Sequence, residues 1–151
     1  MHRWVVLLAL AATLAACNLV TRPGLLFGGR GVVEARLAAG VNGDQPVAVD
    51  LVVVYDGGTE KELLGLTAAQ WFATRSQYLQ VTPGGKLQVF SWQWVPGQWV
   101  GRQPFEYRVG ALSSIVFASY DSPGDHRAQL RPDRSFRLLL GPQDFQVEVL
   151  H

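Results

Sequence analysis

The 151-residue sequence contains one cysteine, one methionine and three histidines. A single cysteine excludes an intramolecular disulfide, so a hydrophobic core has to hold the fold even in an oxidising compartment. Histidine chemistry is equally sparse: His2 belongs to the N-terminal run, His151 is the last residue, and His126 stands alone. Phosphate-binding glycine motifs and zinc-ligand spacings are missing, and Ser113 and Ser114 have no nucleophile-elbow pattern around them. Charge of one sign is missing as well. Thirteen basic residues face twelve acidic ones without clustering, whereas a nucleic-acid binder needs a basic stripe. Beyond the N-terminus no apolar run approaches the roughly 20 residues of a membrane span. These absences point away from an enzyme, a metal centre, a nucleic-acid binder and a small-molecule site.

What is present begins with Met1-His2-Arg3, a short positive start, followed by an apolar stretch over residues 4–14. A charged start, an apolar run of about 7–15 residues and a small-residue exit describe a secretory signal. The exit, Leu14-Ala15-Ala16-Cys17, resembles the lipobox of bacterial lipoproteins, in which the cysteine after the cleavage site receives the lipid. Residues 1–16 are therefore expected to be the signal, Cys17 the lipidated residue, and residues 17–30 the lipid-bearing terminus and a tether. Pro23, Gly24, Gly28 and Gly29 break regular structure there. One acyl chain holds a protein only marginally while two or more hold it stably, and lipoproteins of this type carry several on one cysteine. In the terms of that resemblance, Asn18 in place of an aspartate favours the inner leaflet of the outer membrane, facing the periplasm. No cofactor is expected apart from this covalent lipid.

Residues 31–151 read as one domain. Nearly half the chain is apolar, enough for a core at this length. Residues 31–39 alternate, with Val33, Ala35 and Leu37 against Glu34 and Arg36, as a half-buried strand does. Residues 47–55 (VAVDLVVVY) form a strand buried on both faces. Between them, Asn42-Gly43 is a hairpin signal. Helical spacing then takes over for one insertion, about residues 59–79. Thr59-Glu60-Lys61-Glu62 fits a capping box, and Thr67-Ala68-Ala69-Gln70 fits one better, with Leu66 and Trp71 as a hydrophobic staple. The main helix is expected over residues 68–78, with Trp71 and Phe72 as core. Strands follow at 87–95, 99–100, 105–109, 112–120, 126–130, 136–140 and 145–150. In the first of these Phe90, Trp92 and Trp94 share one face. Seven or eight short antiparallel strands with one helical excursion argue for a β-sandwich.

Two constellations could carry chemistry. Asp121, Asp125 and His126 surround a Pro-Gly turn, where such residues are ordinarily solvated turn formers. Trp92, Trp94 and Trp99 could form a stacking platform for a carbohydrate, although inter-sheet packing accounts for them as well.

The succession of elements resembles a known family. The lipobox precedes an alternating strand, a short loop with an Asn and a closing Pro, and a V-rich strand ending in Tyr55. Then come an A-x-x-W-F helix at residues 68–73, a T-P-G-G turn into residues 82–89, and a late apolar strand with an R-A-Q-L return within residues 110–130. This looks like the outer-membrane lipoprotein of type VI secretion systems, the TssJ (SciN) family. The resemblance implies a transthyretin-like β-sandwich that binds the periplasmic C-terminal part of TssM and, through it, TssL. It places the main contact in the loop between the first two strands, here Val41, Asn42, Gly43, Asp44 and Gln45. That loop is short and glycine-bearing beside the family pattern, and its residues alone read as a simple hairpin turn. A pilotin-like accessory lipoprotein of another secretion system shares every feature except the partner.

Overall fold

A computed structural model describes residues 23–151. The signal expected at 1–16 and the expected lipidation site Cys17 lie outside the described residues. Eight strands form two four-stranded sheets. Strands β1 (Gly29–Leu37), β4 (Trp99–Tyr107), β7 (Phe136–Leu140) and β8 (Phe145–Val149) form the first, in the order β4-β1-β7-β8. Strands β2 (Val47–Val54), β3 (Leu87–Trp94), β5 (Ser113–Ala118) and β6 (Arg127–Leu130) form the second, in the order β3-β2-β5-β6. Helices α1 (Gly57–Leu64) and α2 (Ala68–Val81) lie on the outer face of the second sheet.

The alternation of each strand decides which layer each side chain joins. On β2, Val47, Val49, Leu51 and Val53 enter the inter-sheet core with Val33, Ala35, Phe105, Phe136 and Leu138. The intervening Val52 and Val54 enter a second core with Leu63, Ala68, Trp71, Ile115 and Phe117 beneath the helices. A strand covered on both sides has no polar face, which is why VAVDLVVV reads as a nearly continuous apolar run. Its one exception, Asp50, is fully buried on the helix side. There it accepts the indole N–H of Trp71 at 2.8 Å and the Arg75 guanidinium at 2.8 and 3.0 Å. The apolar run therefore carries the polar latch that docks α2. Trp71 also stacks on Phe117, so its reading as core holds, and Phe72 is half-buried against the same cluster.

Helix α2 starts where its capping box predicts. Thr67 Oγ1 accepts from Gln70 N and the Gln70 side chain accepts from Thr67 N. Helix α1 corrects the expectation for Thr59: the cap is Asp56, whose carboxylate accepts both the N–H and the hydroxyl of Thr59. This lowers the Asp56 pKa, chiefly through the backbone hydrogen bond.

Four further readings change. The stretches at 99–100 and 105–109 are one strand, β4, paired along β1 with a bulge opposite Val33–Ala35. Pro104 is tolerated inside it because β4 is a sheet edge. The antiparallel expectation fails for one pair, since β1 and β7 run parallel. Asn42-Gly43 does not close a hairpin, because β1 and β2 belong to different sheets. The tether is also shorter than residues 17–30. Gly29 and Arg30 already pair with Tyr107 and Glu106, and Leu25 exchanges backbone hydrogen bonds with Gly110 and Ala111.

This topology gives the sandwich two distinct ends. At one, the near end, residues 24–28 meet the 107–113 connection, and the C-terminus of α2 lies at the same end, beside Asp56 and Lys86. At the other, the far end, lie the 38–46 crossover, the 95–98 turn, and the 119–126 and 141–144 loops.

A candidate partner-binding end

The 41–45 loop is built for shape rather than flexibility. Asn42, Gly43 and Asp44 all take positive φ, at 50°, 62° and 62°, a left-handed run that Gly, Asn and Asp adopt most readily. The Asn-Gly pair was therefore legible as a positive-φ site; the crossover between sheets was not. Val41 is fully buried and belongs to the inter-sheet core. Asn42 is nearly buried, and its Oδ1 accepts from Asp121 N at 2.7 Å while its own N–H donates to Pro142 O at 3.0 Å. Asp44 folds back to accept the Gly40 N–H at 3.0 Å. Of the five residues read from the sequence, two hold the loop and three, Gly43, Asp44 and Gln45, present it to solvent.

Asn42 thereby joins three loops, and His126 joins them a second time. The imidazole is buried and sits on the Tyr120 ring, with centroids 4.9 Å apart. Its Nδ1 lies 3.0 Å from Asp144 Oδ1 and its Nε2 lies 2.8 Å from Ser122 O. Both partners are acceptors, so both ring nitrogens can donate only in the protonated imidazolium. Burial pulls the His126 pKa down, but the Asp144 hydrogen bond, the Ser122 carbonyl and the charges of Asp144 and Asp125 more than offset it, and the pKa is raised. Tyr120 completes the knot by donating toward Gly141 O and Asp144 O at 3.1 and 3.2 Å. Burial, and secondarily the Asp144 charge, pushes its phenol pKa up. Ser122 Oγ donates to Gln143 O at 2.7 Å.

The sequence trio Asp121, Asp125 and His126 is thus not a shared site. Asp125 pairs with Arg127 at 3.1 Å, Asp121 offers its backbone to Asn42, and His126 takes Asp144. Reading His126 as a solvated turn residue is corrected. Asp144, 18 positions away, was invisible as its partner because only the fold brings the two turns together. Ser113 and Ser114 are buried, and neither hydroxyl has a hydrogen-bond partner among the described residues, so no base among them activates either.

Concavities open at this end. One is a polar cleft of about 440 Å³ between Gly43, Gln45, Ser122 and Gln143. Another is a more apolar hollow of about 430 Å³ over Leu37, Leu139 and Leu140, walled by Arg36 and Gln146. Trp99 lines an adjoining hollow of about 360 Å³ that shares Arg36 and Leu37 with it; the indole is about half exposed, with the guanidinium of Arg36 4.6 Å and that of Arg137 5.5 Å from its ring centroid. Trp92 and Trp94 stack on each other and pack toward the inter-sheet core. The three tryptophans therefore form no common platform.

No protein-family model matches the chain, and no curated protein does. Solved structures do. The chain is similar to the type VI secretion lipoprotein TssJ1 from Pseudomonas aeruginosa, at 18% identity and a TM-score of 0.57, over 81% of this chain and 96% of that one. It is similar to Serratia marcescens Lip, a membrane-bound component of the type VI secretion system, at 15% identity and a TM-score of 0.59, over 79% and 96%. A chain in a structure described as the TssM C-terminal domain from EAEC matches at 13% identity and a TM-score of 0.54, over 80% and 98%. At these identities the likeness is one of fold: the protein has a TssJ-like β-sandwich.

Proposed function

We propose that this chain is a lipid-anchored periplasmic component of a type VI secretion membrane complex. Cys17 carries the lipid after removal of residues 1–16 and holds the protein in the inner leaflet of the outer membrane. The far end of the sandwich grips the periplasmic C-terminal domain of TssM and, through it, TssL. The observation that carries this reading is a TssJ-like sandwich over nearly all the described residues, supported by the lipobox-like Leu14-Ala15-Ala16-Cys17 that precedes it in sequence. The role is positional, with no covalent step. Anchorage confines the sandwich to a surface, so a modest pairwise affinity serves.

The far end has the features such a grip needs. Its loops are cross-bonded through Asn42 and His126, so little ordering entropy is lost on binding. It offers a polar cleft beside an apolar hollow, with Trp99 flanked by two arginines. Tryptophan and arginine are the residues that most often dominate binding energy.

Titration of residues 18–151 against the periplasmic C-terminal domain of TssM, followed by calorimetry, tests the reading. Saturable one-to-one binding is expected. The pair Gln45→Arg and Gln143→Arg, which fills the cleft, is expected to abolish it. Trp99→Ala is expected to weaken it by about 2 kcal/mol or more. Absence of heat and of co-elution at high micromolar concentration would reassign the protein to a different partner.

A further inference from the structure

We infer that the near end is a membrane-facing surface, on which Leu26, Phe27 and Val109 enter the interfacial region of the phospholipid layer that holds Cys17. The inference rests on the lipid anchor proposed above and adds an orientation to it. Among the described residues the four most exposed large apolar side chains are Phe27 at 81%, Leu26 at 80%, Val81 at 78% and Val109 at 64%. All four lie at the near end, whereas the far end exposes Trp99 and Val95 by about half.

Leu26 and Phe27 are held in place. Leu25 N donates to Ala111 O at 2.9 Å and Gly110 N donates to Leu25 O at 2.8 Å. Gly24 packs so closely that a Cβ there would lie 2.4 Å from Gly110 O, and one at Gly28 would lie 2.8 Å from Tyr107 O. Residues 24–28 thus run antiparallel along 107–111, which sets Leu26 and Phe27 beside Arg108 and Val109. Water is a poor environment for a fixed apolar group of this size, and such groups mark interaction surfaces.

Covalent geometry decides what covers it. Six Cα-to-Cα steps lead from Cys17 to Pro23, and each spans at most about 3.6 Å, so the Cα of the lipidated cysteine lies within roughly 22 Å of the first described residue. Phe27 follows four residues later, on a segment already bonded to the sandwich. Charge fits a phospholipid surface too. Arg30, Lys86 and Arg131 are matched by Glu106, Asp56 and Asp133. Arg108 makes no ion pair with a described residue and lies flat over Tyr55, 4.5 Å from its centroid. Its guanidinium donates to the Gly85 carbonyl at 3.3 Å and faces no described carboxylate, so its charge can meet a headgroup phosphate, and an apolar cluster beside such a cation suits an interface containing anionic lipid.

The test uses the full lipidated chain, in which the acylated Cys17 leaves an introduced cysteine as the only thiol. Phe27→Cys and, for the far end, Gln45→Cys are labelled with an environment-sensitive fluorophore. Each is reconstituted in vesicles of phosphatidylethanolamine with a minority of phosphatidylglycerol. The probe at 27 is expected to shift to the blue, to be quenched by spin-labelled lipid, and to resist aqueous iodide several-fold better than the probe at 45. Iodide access at 27 equal to that at 45, in protein that floats with the vesicles, would overturn the inference and leave the anchor intact. Shielding at 27 from both quenchers would assign the patch to a second copy of the chain and overturn it likewise. Protein that does not float would refute the anchor and the orientation together.

Discussion

Two buried polar residues, Asp50 and His126, do more for this fold than their number implies. Asp50 is the one interruption in VAVDLVVV, and burying its carboxylate is tolerable only because Trp71 and Arg75 both donate to it. Removing one member of a buried charged pair typically costs about 3–5 kcal/mol. Asp50→Ala is accordingly expected to lower stability by about 3 kcal/mol in urea unfolding and to loosen α2, seen as lost near-ultraviolet signal from Trp71. A drop of under about 1 kcal/mol would mean that Arg75, with its outer side exposed, carries the pair as a surface bridge does. His126 predicts a pH dependence. Its pKa is raised in the folded state, so its stabilising contribution is complete below the ordinary histidine value near 6.5 and fades as pH rises through the folded value. Thermal melts between about pH 5 and pH 8 should show the wild type losing its advantage over His126→Gln toward the alkaline side. A constant difference across that range would show that the imidazole acts through packing on Tyr120 alone.

Elements divide into those that local chemistry dictates and those that only assembly decides. Helix α2 belongs to the first kind: Thr67, Gln70 and the staple around Trp71 mark its start, and the capping box forms as read. Thr67→Ala should cost about 1 kcal/mol, measurable as a shifted denaturation midpoint with an unchanged slope, whereas Thr59→Ala leaves the Asp56 carboxylate in place as the cap of α1. Strands β2, β3, β5, β7 and β8 were legible because alternation or an unbroken apolar run survives in each. Strand β4 was read as two short edge pieces; it does lie at an edge, but as one strand, because Gln103 and Pro104 are held in it opposite Val33 and Val32 of β1, a pairing that belongs to the assembled sheet. Partner choice was hidden for the same reason. The Asn42-Gly43 dipeptide specifies positive φ but cannot say whether the chain returns along its own strand or crosses to another sheet. The parallel β1–β7 pair, joining residues about a hundred positions apart, has no local signature at all.

At the scale of the whole molecule the sandwich is polar in the geometric sense. The first described residues attach at one end, beside an apolar, partly basic surface, and the cross-bonded loops lie at the other. The family resemblance, and not the residues themselves, marked the loop and assigned all five of its residues to contact; in the structure Val41 and Asn42 hold the loop, and in the proposed grip Leu139, Gln143 and Trp99 extend its surface from elsewhere in the chain. A body oriented this way would carry a bilayer on one side and a partner on the other, with strands running between them. The most direct test is site-specific photo-crosslinking from the lipidated full chain in intact envelopes that contain the secretion components. A photoreactive residue at position 45 is predicted to crosslink to the periplasmic domain of TssM and one at position 27 to lipid. Crosslinks to TssM from position 27 and none from position 45 would contradict the account.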